Sequence, residues 1–356
     1  MADERRQVDV ALQGGGAHGA FTWGVLDRLL DEDNLEIEGI SGTSAGAMNA
    51  VALAQGLASG GREAAKATLE AYWTAVSEAA RFSPIRRGLW DRFAGRWSLD
   101  LSPSYVLSQY FTRTFSPYQF NPFDMNPLRD IVARCFDFDV INAADRPRLF
   151  LGATNVRTGR PKVFRQPQIT ADTVMASACL PFLFKAVEID GEAYWDGGYM
   201  GNPPLFPLID ETEARDIILV QINPFRRDAI PTSAAEIENR LNEITFNGSL
   251  IKELRSVAYL WELIHHEQLD RAAYRDARLH MIEAEEAMQA LSASSKLNAE
   301  RAFLKHLRET GWNAADAWLS ANRDSIGVKT TWRPEFLFEE SLAPAHLPDG
   351  KRAKRP

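Results

Sequence analysis

Three short stretches of this sequence hold residue types suited to hydrolytic or phosphate chemistry. The first is Gly42-Thr43-Ser44-Ala45-Gly46. It fits G-x-S-x-G and lies between a strand-like run ending at Gly39–Ser41 and an Ala-rich helical run from Ala45 to Leu57. A nucleophile elbow needs that setting: the serine occupies a strained strand-to-helix turn, and small neighbours let the backbone fold sharply. The helix start also points N–H groups and a positive dipole at the serine. The same residues equally suit an ordinary turn with Ser44 as a helix N-cap. The second stretch is Gly14-Gly15-Gly16-Ala17-His18-Gly19. Its backbone N–H groups, uncrowded by Cβ atoms, form a nest for anions. Such a nest can stabilise the oxyanion formed when a serine attacks an ester, or cradle a phosphate. Gly14, Gly16 and Gly19 also satisfy G-x-G-x-x-G, a dinucleotide-binding pattern, although Glu36 and Glu38 come slightly early for the ribose-binding acid. The third stretch is Asp196-Gly197-Gly198, after an expected hairpin ending at Tyr194-Trp195. It is either a catalytic carboxylate at a strand end or a plain Asp-Gly turn.

The elements that must position these stretches are legible from periodicity. Val8 to Leu12 reads as a buried strand, Phe21 to Leu30 as an amphipathic helix, and Gly39 to Ser41 as the end of a second strand. With the helical run after Ser44, this alternation predicts a parallel α/β sheet. Arg62 to Ala80 predicts a further helix. Residues 81–126 are rich in Phe, Trp, Tyr, Pro and Arg and read as an irregular insertion. Within it Leu89, Trp90, Phe93 and Trp97 fall near one helical face among Arg86, Arg87, Arg92 and Arg96, a pattern suited to a lipid interface or an apolar wall. Leu149–Thr154, Pro161–Phe164, Ala186–Ile189, Glu192–Trp195 and Ile217–Ile222 predict strands. The expected organisation is a catalytic domain over 1–230, a helical C-terminal region over 231–345 and a basic tail over 346–356.

Composition bounds the function. The 356 residues, 45% hydrophobic, suffice for a large core. A net charge of −8 argues against a nucleic-acid partner. Cys135 and Cys179 are too few for a disulfide framework and are expected as reduced thiols. The sequence shows neither a signal-peptide pattern nor an apolar run of membrane-spanning length, so a cytoplasmic location is expected, with any membrane contact peripheral.

The three motifs in this order resemble the patatin-like phospholipase family. Ala176-Ser177-Ala178-Cys179-Leu180-Pro181-Phe182-Leu183-Phe184 resembles a fourth family stretch. The likeness spans about residues 7–222. It implies a three-layer α/β/α fold with a mainly parallel sheet, a Ser44–Asp196 dyad, lipid acyl esters as substrate, and neither metal nor cofactor. On this reading Ser44 attacks the acyl carbonyl and Asp196 takes its proton. N–H groups of the Gly14, Gly15, Gly16 and Ala17 loop bind the oxyanion, and an acyl-enzyme is released by water. His18, Gly19, Gly42, Gly46, Gly197 and Gly198 support the motifs. The family commonly has Arg or Lys where this chain has His18, exchanging a fixed charge for a titratable one; an arginine there is expected to remain active.

The other histidines, His265, His266, His280, His306 and His346, fall in the expected helical region or tail. An α/β-hydrolase triad runs Ser, acid, His with its elbow after several strands, whereas Ser44 follows only two. Two other functions stay open: a nucleotide-binding oxidoreductase using the glycine loop, and a non-catalytic scaffold, against which intact Ser44 and Asp196 argue. Oligomeric state is not legible.

Overall fold

The computed structural model describes residues 5–83, 85–88, 91, 95–227, 229–265 and 274–332. Strand β1 (Arg6–Leu12) leads through the glycine loop into helix α1 (Gly19–Leu29). Strand β2 (Leu35–Gly42) leads through Ser44 into α2 (Ala45–Ala80). The two helices expected on either side of residue 60 form this one element, kinked at Gly60–Gly61, where Gly61 has φ +76°. The later strands are β3 (Arg148–Asn155), β4 (Pro161–Arg165), β5 (Val187–Ile189), β6 (Glu192–Asp196), β7 (Asp216–Val220) and β8 (Arg278–Ile282).

The sheet's hydrogen-bonded path runs β5-β6-β3-β2-β1-β7-β8, with β4 also on β3. The β3-β2-β1-β7-β8 run is parallel, and the β4, β5 and β6 pairings are antiparallel. Side-chain alternation sends the two faces into two cores. Val8, Val10, Leu12, Ile218 and Val220 join α1 and α2 residues on one side. Ala11, Phe150, Ile217 and Leu219 pack with Leu250, Leu254 and Val257 of the helix Ala234–His265 on the other. This is a mixed α/β fold whose mostly parallel central sheet is flanked by helices.

Two stretches depart from the sequence reading. Residues 278–282 were expected to be helical but form β8, an outer strand beside β7. Five residues are too few to show a period, and His280 masks the apolar run because its ring is buried against Asp216. The insertion is also less irregular than expected. It contains helices Pro103–Thr114 and Pro117–Phe120, each opened by a proline directly after a serine, where proline's fixed φ and missing N–H suit the first helical position. Leu89, Trp90 and Phe93 lie outside the described residues. Trp97 stacks on Phe303 and His306 of the helix Arg301–Asn322, with Arg87 over its ring, so it faces protein. Both cysteines are free; Cys179 is buried and Cys135 half-buried. Among the described residues, no helix is long and apolar enough to cross a membrane.

Candidate active site

Ser44 occupies the turn between β2 and α2 with φ 55° and ψ −122°. Positive φ is costly for a residue bearing a Cβ and persists only where surrounding structure enforces it. Gly42 and Gly46 make that enforcement feasible. A Cβ on Gly46 would lie 2.0 Å from the Leu12 carbonyl oxygen, and one on Gly42 would lie 2.5 Å from the Gly46 carbonyl oxygen. Ser44 occupies the N-cap position of α2, but its side chain makes no capping hydrogen bond.

Strand β3 brings Asp196 to this turn. Its Phe150–Thr154 segment pairs with β4 on one edge. On the other edge β2 takes Arg148–Leu151 and β6 takes Ala153–Asn155, because a residue has one neighbour on each side. Gly42 is therefore opposite Leu151, and Asp196 is opposite Ala153, two residues further along. At strand rise that separation is about 7 Å. Gly152, between them, leaves room for both turns: its Cβ would meet Thr43 Oγ1 at 2.8 Å, and a Cβ on Gly197 would meet its carbonyl at 2.2 Å.

One stretch clamps both residues. Ser177 Oγ accepts the Ser44 N–H at 3.0 Å, and the Cys179 carbonyl accepts the Asp196 N–H at 2.8 Å. The Asp196 carboxylate is fully buried. Its Oδ1 accepts the Gly198 N–H at 2.7 Å, and its Oδ2 is buried without a hydrogen-bond partner. Burial pushes the carboxyl up to about 6, against the lowering effects of the Gly198 N–H, the Ser44 hydroxyl and the Lys296 charge. The hydroxyl is thus close enough to favour the carboxylate, although it falls short of standard hydrogen-bond geometry with Oδ2; catalytic contacts are often loose before substrate binds.

The glycine loop packs directly on Ser44. A Cβ on Gly14 would come within 2.7 Å of Ser44 Cβ. The Gly14 N–H, however, is donated to Asn202 Oδ1 at 2.7 Å, and the Gly14 carbonyl accepts from Asn223 Nδ2 at 2.8 Å. Gly14 was expected among the oxyanion donors, yet Asn202 already takes its N–H. Among the described residues none accepts a hydrogen bond from Gly15 or Gly16 N–H. Gly16, with φ +59°, starts the short turn Gly16–His18, with Ala17 at its centre. Gly19 opens α1 and packs on Ala45 Cβ.

His18 faces away from solvent. It is buried, bonded through Nε2 to Ser295 Oγ at 2.7 Å and set edge-on to Phe303. The Ser295 hydroxyl itself donates to the Ser292 carbonyl, so the imidazole Nε2–H is the donor to Ser295. Burial, with the Lys296 charge, lowers His18 well below the usual imidazole range, so it is neutral and fastens the loop. His280 lies at the other end of the sheet. It is opposite Ile218, next to Asp216, which is opposite Val8, four residues before Leu12 and about 13 Å from the loop. His265 ends the helix Ala234–His265, stacked on Trp261. His306 stacks on Trp97, and His266 and His346 lie outside the described residues.

Sequence reading missed Asn202, Asn223, Gly152 and Lys296. Asn202 stands four residues after Gly198 and before Pro203-Pro204, a polar residue in a turn-forming run beside a motif. Asn223, Gly152 and Lys296 carry no local signal.

A family model described as patatin-like phospholipase matches residues 10–209. No curated protein matches the chain. Among solved structures, VipD from Legionella pneumophila is similar at 16% identity over 85% of this chain and 67% of that one, with a TM-score of 0.37. The ExoU–SpcU complex of the Pseudomonas aeruginosa type III secretion system is similar at 16% identity over 93% of this chain and 73% of that one, with a TM-score of 0.29. Neither structural likeness is strong enough to carry function across.

Proposed function

The chain belongs to the patatin-like phospholipase family, and from that premise we propose that it hydrolyses lipid acyl esters through a Ser44–Asp196 dyad. The observation that carries the reading is a convergence. A serine at positive φ packs against a glycine loop with free N–H groups, beside a buried carboxylate that has one oxygen unpartnered. Family membership displaces the dinucleotide reading of the loop, and the intact pair argues against a scaffold.

Asp196 Oδ2 accepts the Ser44 hydroxyl proton as Oγ attacks the acyl carbonyl. Gly15 and Gly16 N–H groups receive the oxyanion; losing one such donor typically costs about 10²–10³ in rate. The tetrahedral intermediate expels the alcohol portion, which takes the proton from Asp196, and leaves an acyl-enzyme. Water then attacks, giving its proton to Asp196. The fatty acid leaves, and Ser44 recovers its hydrogen. With a carboxyl near 6, Asp196 is charged at neutral pH and is a stronger base than an ordinary aspartate.

Contact with a lipid interface is assigned to the insertion, where Leu101, Val106, Leu107, Tyr110, Tyr118 and Phe123 are exposed. This surface adjoins the site through its own bonds. Tyr118 Oη accepts from Ala186 N–H at 3.3 Å, and Lys185 Nζ donates to the Pro122 carbonyl, on the stretch that runs on from Cys179. A fluorophosphonate probe tests the dyad. Wild-type protein should be labelled and Ser44→Ala should not; equal labelling of the two ends the assignment.

A further inference from the structure

The family match ends at residue 209, yet a cation from far beyond it reaches the site. Lys296 sits on the short turn Ala293–Leu297. Its backbone carbonyl oxygen lies so close to the glycine loop that a Cβ on Gly16 would come within 2.5 Å of it. Its Nζ donates to Asn223 Oδ1 at 2.8 Å and Asn242 Oδ1 at 2.6 Å. Asn223 in turn donates from Nδ2 to the Gly14 carbonyl. The ammonium also lies 5.7 Å from the centroid of the Phe246 ring. That ring closes on the Asp-Gly-Gly turn, since a Cβ on Gly198 would meet it at 2.3 Å. One charged group therefore abuts, through single intermediaries, both the oxyanion loop and the turn carrying the carboxylate.

We propose that Lys296 is the positioning cation of this site: through Asn223 it fixes the Gly14–Gly16 loop, and across the Phe246 ring it stands beside the turn that carries Asp196. The proposal rests on the Ser44–Asp196 reading and deepens it. His18, within the loop itself, is neutral and supplies no charge. The groups facing the ammonium are Glu243 and Asp196, which favour its charged form, Arg227, which opposes it, and His18. Burial outweighs them and brings Lys296 down to about 8. Reciprocally, its charge lowers the Asp196 carboxyl.

The signs follow. Asp196 works in its charged form, so removing the cation raises the Asp196 pKa and moves the acidic limb of kcat/KM to higher pH. Above about pH 8 Lys296 loses its proton and the wild-type rate falls. An arginine keeps its charge there.

The test uses the full chain, a soluble short-chain nitrophenyl ester, and kcat and KM measured across about pH 5–10, with thermal melts to check folding. Lys296→Met should lower kcat roughly tenfold or more at neutral pH, since loop misplacement is costly. Its acidic limb should move upward, with KM little changed. Lys296→Arg should recover most of the rate and lose the alkaline fall. If Lys296→Met does not fold, Lys296→Gln, which keeps a donor for the two asparagines without the charge, should still move the acidic limb upward, with a smaller loss of kcat. A neutral variant with wild-type kcat and an unmoved acidic limb, or an arginine variant as impaired as the neutral one, overturns the proposal. Ser44→Ala, assayed in parallel, separates the two readings. If it stays active, the dyad falls; if it is inactive while the neutral Lys296 variant matches wild type, only the Lys296 proposal falls.

Discussion

The Ser44 backbone N–H is held at 3.0 Å by the hydroxyl of Ser177, a residue 133 positions away. That bond supports the positive-φ turn from outside the elbow motif. Ser177→Ala leaves a buried N–H unpartnered, at a cost of about 1–3 kcal/mol. The expected result is a lower melting temperature together with a lower kcat and slower fluorophosphonate labelling. A variant that melts lower but labels at the wild-type rate would make Ser177 purely structural.

The pH profile should report Asp196. Its carboxyl is raised by burial to about 6, and in the proposed mechanism it must be charged to take the Ser44 proton. The rate constant kcat/KM should therefore fall as pH drops through about 6. Asp196→Asn should abolish turnover while the protein remains folded. Retained turnover in that variant would remove the carboxylate from the mechanism.

His18 cannot be exchanged for a charged residue at little cost. It is 4% exposed, neutral, bonded to Ser295 and near the Lys296 charge. This differs from the expectation that an arginine at 18 remains active: the guanidinium would be buried beside another cation. His18→Arg should melt well below wild type and lose activity, whereas His18→Gln, able to donate to Ser295, should lose less. A melt of the two variants against wild type checks the order.

The Asp216–His280 pair should matter for stability and not for turnover. Asp216 accepts from His280 Nε2 at 2.8 Å, from Arg278 Nε at 3.0 Å and from the Gly327 N–H. Burial alone would raise its carboxyl, but the His280 and Arg278 hydrogen bonds override that and hold it at about 2. A folded pKa below the unfolded value of about 3.9 contributes stability that is present above that pH and lost as pH falls toward 2. Asp216→Asn should lower the neutral-pH melting temperature and flatten its fall in acid. His280→Gln should leave kcat near wild type; loss of turnover as complete as in Ser44→Ala would replace the dyad with a triad.

The insertion should govern attack on aggregated lipid. Leu107 and Tyr110, 68% and 72% exposed on the helix Pro103–Thr114, make few internal contacts to lose. Leu107→Ser/Tyr110→Ser should reduce vesicle co-sedimentation and vesicle hydrolysis while leaving a soluble ester unaffected. Unchanged vesicle binding would assign that surface another role.

What the sequence determined by itself is local. Strand β1, helix α1, strand β2 and the hairpin β5–β6 are legible because each pairs a hydrophobic period with a punctuating glycine or Asp-Gly turn. The turns at Ser44, the glycine loop and Asp196 are legible because tight turns and close backbone approach require small residues at adjacent positions. Only the tertiary structure decided the rest. The register of β2 and β6 along one edge of β3 brings residues 44 and 196 together, and no local pattern encodes the pairing of strands more than a hundred residues apart. Strand β8 was hidden because five residues around a buried histidine carry no readable period. The polar groups that hold the loop, Asn202, Asn223 and Lys296, come from separate segments. A buried hydrogen bond leaves no mark in sequence beyond the identity of its donor and acceptor, so their roles emerge only when the chain is folded.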